Sequence, residues 1–285
     1  MRLRPRLAPA PVAGQSMTAD VLGPAGTPCR HVLGMRVDHI EFAAASRLIA
    51  DWAAAVPSRG RYACAANVHM TMEALDDSRL RSIVNGADLV VADGVPLVWA
   101  LRALGLPQQH RVRVTPDLLL DLFATCEARG IRIGLYGGTP ETLAAFVALL
   151  ADAAPDLQVA FTWSPPFRPL SAEEDTEVTE RIKAAGVRLL LVGLGCPKQE
   201  VWMAAHAERL PCVMFGVGAA FDMFGGKTGN APAWMRDRGL EWAYRVANEP
   251  RRLWRRHIFN DPRFLLFVAL QVIRGRRHAS DRPGL

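Results

Sequence analysis

Val187-Arg-Leu-Leu-Leu-Val-Gly-Leu-Gly-Cys-Pro-Lys-Gln-Glu200 decides the fold. A short apolar run ends in a glycine turn, a helix-like stretch follows, and Cys212-Val-Met-Phe-Gly216 is a second apolar run. Such runs are too short for helices and too continuous for half-exposed strands, so they read as strands buried on both faces of a parallel sheet. The unit recurs upstream, with strands at Arg61–Asn67, Ala87–Asp93, Ile131–Gly137 and Val159–Trp163. The spacing predicts helices over about 40–55, 68–82, 95–104, 117–129, 140–153, 173–185 and 198–209. This alternation defines an α/β protein, Rossmann-like, with a mostly parallel sheet and helices on both faces.

Away from this body the composition changes. Residues 1–30 are rich in Pro, Ala and Arg without an apolar period, and read as a disordered tail. Residues 31–232 are the α/β domain. Residues 233–285 are an arginine- and tryptophan-rich helical appendage, with Pro250 expected to bend it. From Arg236 onward lie twelve of the chain's 34 basic residues and only five of its 28 acidic ones, so the net charge of +6 sits there. That asymmetry points to an anionic partner: nucleic acid, phospholipid head groups or a phosphorylated ligand.

Composition excludes other classes. With 50% hydrophobic and 22% charged residues, the chain is not disordered as a whole. The longest apolar run, Phe264–Ile273, is about half of a membrane span. The N-terminus has no continuous apolar stretch and does not read as a secretory signal. Five cysteines without a CxxC pair give neither a disulfide framework nor a zinc site, which leads us to expect a cytosolic protein.

The residues that end the strands carry the chemistry. In order they are Asn67, Asp93-Gly94, Gly137-Gly138, Ser164-Pro-Pro166, Gly193-Leu-Gly195 and Gly216-Val-Gly218. In a parallel sheet all of these fall on the carboxyl edge, where open α/β sheets bind ligands. Thr139-Pro140 and Pro197-Lys198 begin helices there, so backbone N–H groups face the edge and favour anions. Neither Gly-x-Gly continues into a dinucleotide fingerprint, and the chain has no P-loop, no Gly-x-Ser-x-Gly and no Asp-x-Asp. Asp93 has two readings. As a half-buried carboxylate at the edge it is a general base; as the residue before Gly94-Val95 it is an N-cap for the next helix. Arg245, Arg252 and Arg255 could share one helical face and grip a phosphate, or form a solvated basic surface.

Taken in order, these segments resemble the WecG/TagA/CpsF glycosyltransferase family from about Val32 to Phe264. The resemblance rests on Asn67, Ala92-Asp-Gly94, Arg113-Val-Thr-Pro-Asp117, Tyr136-Gly-Gly138, Gly193-Leu-Gly-Cys-Pro-Lys-Gln-Glu200, Phe215-Gly-Val-Gly-Ala-Ala-Phe-Asp222, Gly239-Leu-Glu-Trp-Ala-Tyr-Arg245 and Glu249-Pro-Arg-Arg-Leu-Trp-Arg-Arg256. It implies an inverting, metal-independent enzyme without a cofactor. Such an enzyme moves a sugar from a UDP-sugar to an undecaprenyl-diphosphate-linked saccharide at the inner face of the bacterial membrane. Asp93 falls on the family's catalytic base. Asn67, Arg113 and Gln199 fall on pocket positions, and Gly137, Gly138, Gly195, Lys198 and Glu200 lie in matched loops. Arg245, Arg252 and Arg255 fall on the arginines thought to hold the donor diphosphate. Two departures bear on which sugar fits: Ala65 where the family usually has Thr, and Pro116 where it often has Gly.

The resemblance further implies a protein peripheral on the cytoplasmic membrane, with Phe264–Ile273 either at an anionic interface or packed on the body. The alanine- and arginine-rich composition leads us to expect exopolysaccharide assembly. No nucleic-acid partner is implied, and the sequence is open to a homo-oligomer. Three other readings stand beside this one: an NAD(P)-dependent oxidoreductase, a nucleic-acid-binding protein using the arginine tail, and a non-catalytic membrane scaffold.

Overall fold

The six apolar runs read as strands are strands, and all lie in one sheet, whereas Phe264–Ile273 is helical. The computed structural model describes residues 21–55, 58–112, 114, 118–218, 220–225 and 250–280, together with Met235, Tyr244 and Ala247. The strands are β4 (Arg61–Ala66), β5 (Leu89–Ala92), β6 (Ile133–Gly137), β7 (Val159–Trp163), β8 (Leu189–Gly193) and β9 (Val213–Gly216). Their order is β5-β4-β9-β8-β6-β7, with every neighbouring pair parallel. Three shorter strands precede them: β1 (Val21–Leu22), β2 (Pro28–Val32) and β3 (Met35–Asp38), joined in a small antiparallel sheet. The helices are α1 (Phe42–Ala54), α2 (Val68–Asp76), α3 (Ser78–Asn85), α4 (Val95–Ala103), α5 (Leu119–Ala128), α6 (Pro140–Ala153), α7 (Ala172–Ala184), α8 (Lys198–His206), α9 (Ala220–Phe224) and a terminal helix, Pro250–Ser280.

Alternate residues of each strand enter two apolar cores, one on each side of the sheet. Cys64, Val90, Tyr136, Leu190 and Met214 enter the first, and Ala63, Leu89, Leu135, Leu191 and Phe215 the second. Both faces are therefore dry, and strands of this kind carry no polar alternation. Tyr136 stacks on Trp202 at 4.4 Å between ring centroids, which fixes α8 against the first face.

Three expectations need correction. First, strand β1 and the start of β2 fall inside the stretch 1–30 that reads as a disordered tail. The small sheet is invisible to composition because its strands are short and its inward positions are partly charged. Arg36 and Asp38 are buried, and the Asp38 carboxylate accepts the Val90 N–H at 2.7 Å and an Arg36 N–H at 3.3 Å. These bonds cover the free edge of β5, which would otherwise be open to further pairing. Second, the helix expected over 68–82 is two helices. The Asp77 carboxylate accepts the Arg79 N–H at 2.8 Å and starts α3 afresh, as a good N-cap does. Third, Pro250 opens the terminal helix instead of bending it, because a proline in the first turn breaks no helical hydrogen bond. The appendage boundary near residue 233 and the helix read over Gly239–Asn248 fall largely outside the described residues.

The terminal helix docks Phe264, Val268 and Val272 beside α2 and α4. Arg263 donates to both carboxylate oxygens of Asp76, at 3.1 and 2.9 Å. Gln271 donates to the His31 carbonyl at 2.7 Å and accepts the Leu33 N–H at 3.0 Å. The same helix turns Phe259, Leu265, Leu266, Leu270 and Ile273 to solvent. Among the described residues, no helix is long and apolar enough to cross a membrane.

Candidate active site

Strand order locates a crevice. From β8 the chain passes to β9 on one side, and from β6 it passes to β7 on the other. Adjacent strands whose connections diverge leave an opening at their carboxyl ends. Gly137-Gly138 and Gly193-Leu-Gly195 stand there. Gly137 has φ of 136°, Gly138 66° and Gly195 77°, a region that side chains disfavour. A Cβ on Gly137 would lie 2.4 Å from the Gly193 carbonyl oxygen. Thr139 then caps α6, its hydroxyl accepting the Thr142 N–H at 3.3 Å.

The strands end level with one another. Val90, Cys64, Gly216, Val192 and Tyr136 are paired across the sheet in one line. Asp93, Asn67, Gly218, Gly193 and Gly137 each lie one to three residues beyond it. The loops of the sequence argument therefore share one rim, as expected. Lys198, exposed at the start of α8, has no carboxylate partner among the described residues. A cation at the positive end of a helix dipole is unfavourable by itself and becomes favourable beside an anion.

At the other end of the rim, β4 and β5 bring Asn67 beside Asp93. Asn67 caps α2, its side-chain oxygen accepting the Met70 N–H at 3.2 Å. A Cβ on Gly94 would stand 3.5 Å from the Asn67 Cβ. Asp93 is not a helix cap: α4 is capped at Gly94 without any side-chain bond. The Asp93 carboxylate instead accepts the Val114 N–H at 3.3 Å and faces the Arg111 guanidinium at 3.8 Å, with 27% of its side chain exposed. Arg111 also donates to the Asp93 backbone carbonyl. A carboxylate held at the rim and partly open to solvent is placed as a general base requires. Sequence reasoning missed Arg111, which stands two residues before the matched segment Arg113–Asp117; that proximity was its signal.

Gln199 and Glu200 lie between the two ends, in the first turn of α8. Both are buried, and Gln199 donates to the Glu200 carboxylate at 2.8 Å. Burial raises the Glu200 carboxyl above its ordinary value, against the hydrogen bonds from Gln199 and Cys196. The structure thus gathers Asn67 with Asp93, and Gly137 with Gly138, Gly195 and Lys198. Arg113 and Arg245 fall outside the described residues. Arg252 and Arg255 lie on the first two turns of the terminal helix, their side chains outside the description. Among the described residues, no three His, Cys, Asp or Glu side chains gather where they could hold a metal ion.

A carboxylate at one end of a ligand-binding rim and an anion-facing glycine crevice at the other suit a transferase acting on an activated, phosphorylated substrate. The family described as "Glycosyl transferase WecG/TagA/CpsF family" matches residues 30–278, and the chain belongs to it. It is a glycosyltransferase, which sets aside the oxidoreductase, nucleic-acid-binding and scaffold readings. A relative from Bacillus spizizenii, "N-acetylglucosaminyldiphosphoundecaprenol N-acetyl-beta-D-mannosaminyltransferase", is 27% identical over 212 residues, covering 74% of this chain and 79% of the relative.

Proposed function

We propose that the enzyme transfers a hexose or N-acetylhexosamine-type sugar from a UDP-sugar to an undecaprenyl-diphosphate-linked saccharide, with inversion and without a metal, in exopolysaccharide assembly. The observation that carries this reading is Asp93: partly exposed at the rim, beside Val114 and Arg111, and not the cap of α4. The relative's printed name supports the lipid-linked acceptor and an N-acetylated sugar.

In this reading Asp93 takes the proton of the acceptor hydroxyl, which attacks the anomeric carbon from the face opposite UDP. The C–O bond to UDP breaks, and its electron pair leaves with the diphosphate. Asn67 and Arg113 orient the acceptor or the transferred sugar. Gly137, Gly138, Gly195, Lys198 and Gln199 line the crevice for the donor. Without Asp-x-Asp in the chain, the growing charge on the diphosphate falls to Arg245, Arg252 and Arg255. Preorganised positive charge of this kind lowers a barrier by several kcal/mol. Calorimetric titration with UDP in EDTA tests the donor site: the wild type binds, and Arg252→Ala weakens binding by about tenfold or more. Unchanged affinity in Arg252→Ala would remove the clamp.

The terminal helix gives the enzyme a place on the membrane. One face docks on the body while Phe259, Leu266 and Ile273, spaced by seven, lie on the opposite face with Leu265 and Leu270. An apolar stripe followed by Arg274, Arg276 and Arg277 suits a helix lying in an anionic interface on the cytoplasmic side. Both readings of Phe264–Ile273 therefore meet in one helix. The full-length protein should sediment with anionic liposomes at low salt, and Leu266→Glu with Ile273→Glu should release it. Equal sedimentation of that variant would contradict the assignment.

A further inference from the structure

We propose that Glu200 is a positioning residue: its buried carboxyl orients the Gln199 side chain so that the amide oxygen, not the amide nitrogen, is presented to the ligand at the Gly216–Gly218 turn. This rests on the reading of the rim as the substrate site, and it separates two neighbours that the sequence treats alike. Glu200 has no exposed surface and stands behind Gln199; its Oε2 accepts no hydrogen bond among the described residues, and the role argued here is that of Oε1 toward the Gln199 amide.

Three observations converge. Gln199 Nε2 donates to Glu200 Oε1 at 2.8 Å, inside the protein. The other end of the same amide, Gln199 Oε1, is buried and accepts no hydrogen bond among the described residues. The turn above it is bare. A Cβ on Gly216 would stand 3.0 Å from Gln199 Nε2, and one on Gly218 3.7 Å from Oε1. A buried acceptor without a donor is costly in a folded protein, and it persists where a ligand supplies the donor.

A primary amide has two ends of nearly the same shape, and only its partners decide which way it faces. Glu200 decides here. An ionised carboxylate only accepts, so in that form Glu200 turns the NH2 group inward and the carbonyl outward. The outward oxygen then selects a ligand group that donates, such as a sugar or ribose hydroxyl or an acetamido N–H. Without Glu200 the amide can rotate and offer the wrong end.

The test is a double-mutant cycle read in steady-state kinetics, using the UDP-sugar and polyprenyl-diphosphate acceptor that the wild type turns over. Glu200→Gln keeps a carbonyl acceptor for Gln199 and should hold kcat/KM within about threefold of wild type. Glu200→Met keeps the volume but removes the acceptor; it should lower kcat/KM by about tenfold or more with its melting temperature close to wild type. In the Gln199→Ala background the same Glu200→Met change should cost less than about twofold, because nothing remains to be oriented. An equal cost in both backgrounds, or wild-type kinetics in Glu200→Met, overturns the positioning role. A tenfold loss in Glu200→Gln overturns it too. If Glu200→Met does not fold, Glu200→Asp, which withdraws the carboxyl by one methylene, takes its place in the cycle. A wild-type protein that neither binds UDP nor turns over any UDP-sugar fails earlier, and overturns the functional reading itself.

Discussion

If Asp93 is the proposed general base, Asp93→Asn should slow sugar transfer by about 10²- to 10⁴-fold while leaving the protein folded and able to bind UDP. The amide is isosteric, and its oxygen can still accept the Val114 N–H and face Arg111, so the local geometry survives. What disappears is the ability to take a proton from the acceptor hydroxyl. General-base catalysis contributes about 10² to 10⁴ in rate, and the loss should appear in kcat. The proposed UDP site at the glycine turns of β6 and β8 is three strands away from β5 at about 4.8 Å per strand, so UDP affinity should hold. Turnover near the wild-type rate would show that Asp93 is only structural. A parallel loss of UDP affinity would place Asp93 in donor binding.

Gly137→Ala should cost more in stability than any other single methyl group added to the rim. Its Cβ would lie 2.4 Å from the Gly193 carbonyl oxygen and 2.9 Å from the Gly193 Cα. That neighbour is backbone in the centre of a parallel sheet, and it cannot rotate away as a side chain would. The residue also has φ of 136°, which alanine avoids. Either β6 or β8 must move, and with it the switch-point crevice. The melting temperature should fall by several degrees at least, and UDP binding should be lost even where the fold survives. Gly195→Ala makes the control. It also has positive φ, at 77°, but beyond its chain neighbours no atom of the described residues lies within 4 Å of the added Cβ. It should therefore show backbone strain alone. Equal effects at the two positions would mean that strain, not the close approach of β6 and β8, makes glycine necessary.

The sheet was legible because dry strands write themselves as unbroken apolar runs, and Leu189–Val192 is legible by that rule alone. Strand order was not. Nothing in Val213–Gly216 announces that it pairs with both β4 and β8, since pairing is set by packing across the whole sheet. The small antiparallel sheet escaped because Arg36 and Asp38 occupy buried positions, where a pattern reading expects apolar residues. At the site, Asp93 and the glycine loops could be placed on the carboxyl edge from sequence. The N-cap reading of Asp93 could not be excluded there, because that depends on Gly94 starting α4 and on the distant Val114 and Arg111 approaching the carboxylate. Gln199 and Glu200, adjacent in the chain, look equivalent in sequence. Burial and one hydrogen bond give them different jobs.

The most direct measurement of the central claim is mass spectrometry of the lipid product. Purified full-length protein is incubated in EDTA with a panel of UDP-hexoses and UDP-N-acetylhexosamines, including UDP-N-acetylmannosamine, and a short-chain polyprenyl-diphosphate-linked N-acetylglucosamine. The account predicts an acceptor heavier by one sugar residue, released UDP, and neither in Asp93→Asn. An unchanged acceptor with every donor, from a wild-type protein that also fails to bind UDP, would contradict it.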